Sequence, residues 1–332
     1  MKAKKQARMY SSEKTKLESV VPLATPFSVH IDICSVCNLK CNFCFQADTA
    51  AIKQKGLHRG YMDFQLFKKI IDDSAEFKDK FRKVKIGLHG EPTLHPDLPR
   101  MISYLKSKNV TEVIEMFTNG TLLNSELNRK LIEAGLDRIN ISVEALTPEK
   151  YREITGVAID TKKFVGNLKD LYENRKDCKI YVKIVDACLS PEDKEKFYAT
   201  FGDICDEIFI ENVVPQWADA NKFGLGDTGM YGQKIEKYKH ACPFLFMYLH
   251  FNHDGTASGC TLDWAREVLI GDVTKETVMQ IWRGKKLKDL QIANLERKRG
   301  EIPFCAQCLA PMVCCDENLD PYAGELLKKI KG

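Results

Sequence analysis

Four cysteines fall within eleven residues, Cys34-Ser-Val-Cys37-Asn-Leu-Lys-Cys41-Asn-Phe-Cys44, directly after the alternating run Ser28-Val-His-Ile-Asp-Ile33. Thiolates are soft ligands, so cysteines packed this densely point to an iron–sulfur cluster or zinc. Spacing separates the two. A zinc ribbon parts its two Cys-x2-Cys pairs by a long excursion, whereas only three residues lie between Cys37 and Cys41. Bacterial ferredoxin loops run C-x2-C-x2-C-x3-C and then proline, and Phe45 stands at that place here. Neither template fits. A second set lies far downstream at Cys242, Cys260, Cys305 and Cys308, with Cys314 and Cys315 close behind.

Taken alone, Cys37, Cys41 and Cys44 read C-x3-C-x2-C with an aromatic residue, Phe43, before the last cysteine. In this the sequence resembles the radical S-adenosylmethionine (radical SAM) superfamily. The resemblance implies three protein ligands for a four-iron four-sulfur cluster whose fourth iron binds the amino and carboxylate groups of S-adenosylmethionine. Electron transfer then cleaves that cofactor to a deoxyadenosyl radical. Cys34 is left over, and a small buried residue at a strand end is its plain reading. As a fourth ligand it would close the open iron.

The elements that must position these residues follow from periodicity. Strand-like runs occur at 28–33, 83–88, 112–117, 138–143, 179–185 and 207–210. Helical runs fall at about 63–76, 97–107, 124–134, 161–174 and 191–201, while 46–62 shows no sustained period and reads as loop. Strand-helix alternation implies a parallel sheet with right-handed crossovers. Six such units predict an α/β fold, a partial (β/α)6 TIM barrel, over 28–212. Ligands of such sheets bind at the carboxyl ends of the strands.

Distinctive residues fall at those ends. After the second strand comes Leu88-His-Gly-Glu-Pro-Thr93. The superfamily carries a Gly-Gly-Glu-Pro-like stretch there, which engages the methionine amino group, so the resemblance assigns Gly90, Glu91 and Pro92 to the cofactor and leaves His89 open. After the third strand, Thr118-Asn-Gly-Thr121 is similar to the family's "TNG" turn and assigns Asn119. After the fourth, Ser142, Glu144 and Arg152 match in type the family's residues for the ribose hydroxyls and the cofactor carboxylate. A helix cap and a solvated charged face are the ordinary readings of those three. Cys188, just past the fifth strand, could return a hydrogen atom to a substrate radical, or could simply be a small buried residue.

Beyond about 212 the strand-helix rhythm stops. Residues 242–260 read as a hairpin with its turn at Asn252-His-Asp-Gly255 and a thiol near each open end. The spacing C-x17-C-x44-C-x2-C looks like the SPASM or twitch extension of radical SAM enzymes, which implies a small C-terminal iron–sulfur domain over 213–332. Cys242, Cys260, Cys305 and Cys308 are then the expected ligands of one auxiliary four-iron four-sulfur cluster, with Cys314 or Cys315 as alternates. A full SPASM extension has seven cysteines, and Asn318 stands where the next would fall.

Hydrophobic residues make up 44% and charged residues 29% of the 332, as in an ordinary globular chain. Residues 1–16 hold six Lys or Arg against one Glu, a charge of +5, so the formal charge of +4 leaves the remainder of the chain at −1. A solvated basic extension over 1–27 is the expected reading, which gives little ground for a nucleic-acid surface and none for a membrane. With no signal peptide, thirteen cysteines point to metal ligands in a reducing cytoplasm rather than disulfides.

The resemblance therefore implies a radical SAM oxidoreductase, a dehydrogenase or epimerase, supplied with electrons by a flavodoxin- or ferredoxin-type reductant. The one-cluster spacing is similar to that of dehydrogenases of aminocyclitol alcohols, and only about 27 residues precede the first strand. Both favour a small sugar- or cyclitol-like substrate over a peptide. The rival from another class is an electron carrier or structural metal protein without cofactor cleavage.

Overall fold

The computed structural model describes residues 1–8, 14–187, 189–215, 226–235 and 238–332. Ten strands form one sheet: β1 (Lys4–Lys5), β2 (Ser28–Ile31), β3 (Phe81–Ile86), β4 (Thr111–Thr118), β5 (Arg138–Val143), β6 (Lys179–Asp186), β7 (Glu207–Asn212), β8 (Tyr248–Phe251), β9 (Thr256–Ser258) and β10 (Leu269–Asp272). Their order is β1-β7-β6-β5-β4-β3-β2-β8-β9-β10. From β1 to β8 all neighbours run parallel; β8, β9 and β10 pair antiparallel.

Helices connect the parallel strands. In chain order they are α1 (Leu17–Val20), α2 (Thr49–Gln54), α3 (Phe64–Asp73), α4 (Leu98–Lys108), α5 (Ser125–Glu133), α6 (Pro148–Thr155), α7 (Thr161–Asn174) and α8 (Pro191–Phe201). The C-terminal part adds α9 (Val278–Trp282), α10 (Lys285–Leu295), α11 (Pro303–Ala306), α12 (Ala310–Val313) and α13 (Ala323–Lys331). Caps set the starts of most long helices. The side chains of Asp63, Asn124, Thr147, Asp160 and Ser190 accept first-turn N–H groups of α3 and α5 to α8. The partial barrel expected from the alternation is therefore the observed fold.

The two faces of the sheet differ in chemistry. Ile31, Ile86, Met116, Ile141 and Ile184 are fully buried on the face that packs against the helices. Residues one position away point the other way, because successive strand side chains alternate. That second face carries His30, Lys85, Glu115 and Arg138 in consecutive cross-strand register. The interiors of complete (β/α)8 barrels are filled with branched aliphatics, so a polar concave face marks a space built for a polar occupant.

Two expectations are corrected. The stretch 46–62 is not all loop, since Asp48 caps α2 by accepting the Ala51 N–H at 2.8 Å. That helix is too short for a period to show. The basic extension is not a solvated tail: Lys4–Lys5 pair with β7, Ala3 is buried, and Arg8 reaches the Glu211 carboxylate at 3.5 Å with its guanidinium over the Phe117 ring. Backbone pairing at the sheet edge ignores side-chain charge, which is why composition misread it. The C-terminal part joins the same sheet, with β8 parallel beside β2. Among the described residues no helix is long and apolar enough to cross a membrane.

Candidate functional site

The first cysteine loop sits at the carboxyl end of β2 and is held from three sides. From α6, the carbonyls of Thr155 and Ile154 accept the N–H groups of Lys40 and Asn42 at 2.8 and 2.9 Å. From the β3 side, the Glu91 N–H donates to the Val36 carbonyl at 2.8 Å. Gly90 packs so tightly there that a Cβ would stand 2.2 Å from the Cys34 carbonyl oxygen and 2.7 Å from that of Val36. From β4, the Asn119 amide donates to Asn38 Oδ1 at 2.8 Å and approaches Cys37 Sγ at 3.8 Å. The glycine-glutamate and threonine-asparagine-glycine stretches thus meet on the cysteine loop.

Glu91 is the clasp between them. Its Oε1 accepts the Thr93 N–H at 3.0 Å, the Thr93 hydroxyl at 2.5 Å and the Thr118 hydroxyl at 2.6 Å, and Oε2 accepts the Asn119 N–H at 2.7 Å. Burial raises its carboxyl pKa despite these donors. A lone pair on Oε2 remains for an ammonium group, but the carboxylate mainly positions two loops. Glu91→Gln would set an amide N–H₂ against one of these donors. We expect a stability loss of about 1–3 kcal/mol in denaturant unfolding, with cluster retention falling in parallel.

Cys37, Cys41 and Cys44 are half-buried and near enough for their charges to bear on one another. Burial raises each thiol, that of Cys44 to about 12, so coordination has to displace protons. Cys34 is buried and points elsewhere, its thiol donating to the Val36 carbonyl at 3.2 Å. Phe43 is half-buried on the same loop. Ser142 and Glu144 follow on the polar phase of β5, and burial raises the Glu144 carboxyl against the opposing charge of Lys183. Arg152 is exposed on α6, where only its backbone takes part, through the Gly156 N–H. The structure does not bring the Arg152 side chain into the cluster of site residues. Cys188 lies outside the described residues.

The second set converges as well. The charges of Cys260, Cys308 and Cys305 all bear on Cys242, which is buried. The buried Arg299 fixes the Cys305–Cys308 loop by donating to both carbonyls at 3.0 and 2.9 Å. Of the alternates, Cys314 neighbours Cys308, while the Cys315 thiol is hydrogen-bonded to Glu317 at 2.7 Å. Among the described residues no three cysteine sulfurs approach within 4.8 Å of one another. Thiolates around one zinc stand about 3.8 Å apart, since Zn–S bonds are about 2.3 Å. Thiolates that cap different irons of a cluster sit farther apart, so both sets fit four-iron clusters better than zinc.

Residues 31–202 match the Radical SAM superfamily. The chain belongs to that superfamily. Residues 242–309 match the iron–sulfur cluster-binding SPASM domain. As a radical SAM protein its cofactors are S-adenosylmethionine, a catalytic four-iron four-sulfur cluster and an auxiliary one. Among curated relatives, a probable GTP 3',8-cyclase of Methanococcus maripaludis is 39% identical over 128 residues, 39% of this chain and 40% of the relative. A protein of Pyrococcus furiosus named for modifying the cofactor of tungsten-containing aldehyde ferredoxin oxidoreductase is 34% identical over 118 residues, 36% of this chain and 31% of the relative. The chain thus spans well under half the length of either.

Solved structures share the fold. BtrN in complex with AdoMet and 2-DOIA superposes with a TM-score of 0.57 at 17% identity, over 85% of this chain and 92% of that one. Streptococcus suis SuiB bound to S-adenosylmethionine gives 0.60 at 15% identity, over 83% and 70%. Native anSMEcpe with bound AdoMet gives 0.59 at 15%, over 91% and 96%.

Sequence reasoning passed over several residues that the fold brings to the site. Gln46, directly after the loop, donates to the Ser35 carbonyl at 3.1 Å and the His89 carbonyl at 2.5 Å, and Arg59 hydrogen-bonds its amide oxygen. Trp264, four residues past Cys260, stacks on Phe45 with ring centroids 5.0 Å apart. Asp32 and His250 were also passed over, and they meet His89, whose role the sequence left open, in the interior. Their one signal in the sequence was a polar residue on the inward phase of a strand or at its end.

Proposed function

We propose that this chain binds S-adenosylmethionine over the cluster held by Cys37, Cys41 and Cys44, and abstracts a hydrogen atom from a small hydroxylated, sugar- or cyclitol-like molecule, oxidising or epimerising it. When bound, the cluster and S-adenosylmethionine together supply one-electron chemistry that no side chain can. The residues of the chain do the rest. Gly90, Glu91, Pro92 and Asn119 shape the cofactor's seat, and Ser142 and Glu144 offer a hydroxyl and a carboxyl to its ribose.

The observation that carries the substrate class is the polar concave face. Lys183 approaches Glu211 at 3.5 Å, Lys83 approaches Glu115 at 3.4 Å, and Tyr181 and Asn140 lie between them in register. Burial pulls the Lys85 ammonium down to about 8. Donors and acceptors in this number suit a ligand rich in hydroxyl groups, which satisfies buried polar atoms that an apolar one would strand. Cys242, Cys260, Cys305 and Cys308 would hold the auxiliary cluster as the electron acceptor of a net oxidation. The external electron would come from a flavodoxin- or ferredoxin-type donor in a reducing cytoplasm.

A peptide substrate is the second reading, favoured by the fold shared with SuiB, which has been solved bound to precursor peptide SuiA. Reconstituted protein with S-adenosylmethionine and dithionite, screened against polyols, aminocyclitols and peptides, separates the two. One deoxyadenosine per turnover with a polyol is the expected result. Stoichiometric deoxyadenosine with peptides alone would transfer the chain to the peptide-modifying enzymes. None under any condition would leave an electron carrier. Metal analysis adds a separate check: two clusters require about 8 irons and as many sulfides per chain, and about 12 irons would mean a second auxiliary cluster.

A further inference from the structure

Between the two cysteine sets lies a group of side chains that the cluster chemistry does not use. Asp32 follows β2, His89 opens the loop after β3, and His250 sits in β8, whose parallel register sets it beside His30. Asp32 Oδ2 stands 2.8 Å from His89 Nδ1 and 3.0 Å from His250 Nε2. All three ligand atoms lie within 4.8 Å of one another, and the residues are 2%, 7% and 0% exposed. Yet Asp32 Oδ2 receives no aligned hydrogen bond, and neither nitrogen of His250 has a hydrogen-bond partner among the described residues. Two imidazole nitrogens converging on one buried carboxylate oxygen are the arrangement that ligands of a shared third atom take. Left empty, such an arrangement carries the full cost of unpaired burial.

The tautomer of His89 sharpens this. Its Nε2 lies 2.6 Å from the Thr261 carbonyl oxygen, which can only accept, so that nitrogen carries a hydrogen. A proton on Nδ1 as well would pair the ring with the Asp32 carboxylate, which raises the histidine's pKa; a cation between Nδ1 and Oδ2 takes the place of that proton. A backbone carbonyl on the far nitrogen is the usual outer support of a metal-bound histidine.

We propose that Asp32, His89 and His250 bind one divalent first-row transition ion, distinct from both clusters, through Oδ2, Nδ1 and Nε2. Two imidazoles and one carboxylate form a donor set suited to zinc or ferrous iron, with no thiolate among them. Bonds of about 2.0–2.1 Å put tetrahedral ligands about 3.3 Å apart, so the ion parts Oδ2 from each of the two nitrogens by a few tenths of an ångström. A pocket lined by Asp32, His89, Phe45, His58, Arg59 and His253 reaches the site and provides both an entry path and room for a fourth ligand. Such an ion would fasten the two halves of the active centre. Asp32 precedes the first cysteine loop, His89 precedes Gly90 and Glu91, and Thr261 follows Cys260.

The test uses anaerobically isolated full-length protein with its clusters. Incubation with one equivalent of zinc and desalting should leave one zinc per chain, with iron matched to acid-labile sulfide. Zinc-edge X-ray absorption should show nitrogen and oxygen at about 2.0–2.1 Å and no sulfur shell at about 2.3 Å. His250→Ala and Asp32→Asn should each weaken zinc retention by at least about tenfold while iron and sulfide are kept. One iron in excess of sulfide, lost in the same two variants, would equally uphold the site. No metal beyond sulfide-matched iron, or a zinc–sulfur shell from misloaded cysteines, would overturn it. The absorption measurement stands on the unmodified chain, so a variant that fails to fold leaves the question decidable.

Discussion

Cys34→Ala should still cleave S-adenosylmethionine, whereas Cys37→Ala, Cys41→Ala and Cys44→Ala should each reduce deoxyadenosine formation to background. The reason lies in where the four sulfurs point. Cys34 is buried, its thiol donates to the Val36 carbonyl at 3.2 Å, and its backbone bridges to Tyr61. Burial raises this thiol to about 12, so it is a small core residue rather than an available thiolate. Removing one sulfur atom from a packed site costs on the order of 1 kcal/mol, which the fold survives. Each of the other three, if lost, leaves an iron without its thiolate and the cluster without its hold on the loop. Anaerobic assay of deoxyadenosine with dithionite, beside iron and sulfide counts, reads both effects. Loss of iron and sulfide together with cleavage in Cys34→Ala would make Cys34 a cluster ligand and overturn its reading as a core residue.

Gly90→Ala should be nearly as damaging, although it removes no ligand. The added methyl would meet the carbonyl oxygens of Cys34 and Val36 at 2.2 and 2.7 Å, and both are backbone atoms of the cluster loop. Neither can move without carrying the neighbouring cysteine with it. The strain falls at the upper end of the about 1–3 kcal/mol typical of overpacking. If the loop shifts instead by about 1 Å, cleavage should fall on the order of 100-fold. The unfolding midpoint and the single-turnover cleavage rate together apportion the two. Unchanged values in both would show that the close approach of the β3 loop to the cysteine loop does not exist in solution.

Much of the molecule was legible from residue order. Period-two and helical patterns placed α7, α8 and β5 at the observed limits, because each buries one regular face on the same core. The β3 strand lies two residues earlier than the pattern suggested, since Gly87 adopts a positive φ of 78° and ends it. The hairpin read over 242–260 is observed only across its centre, 248–258, around the turn where Gly255 sits at φ 89°, while Pro243–Phe246 form a 3-10 turn instead of strand. The two cysteine sets carried the cofactor class, because ligand type and spacing are properties of the chain itself.

What the sequence alone determined is therefore local: which residues can ligate, which segments are strands or helices, and the order in which they come. Tertiary structure alone decided which distant residues meet. Nothing in the spacing of Asp32, His89 and His250 brings them together; the pairing of β8 with β2 does, and that depends on backbone ladders rather than side-chain identity. The same holds for Arg8, carried to Glu211 by two residues of edge strand, and for Arg152, whose match in type to the family left its outward direction open. Side-chain chemistry is written residue by residue, but the meeting of side chains is set by strand order and register, which come from the whole chain packing at once.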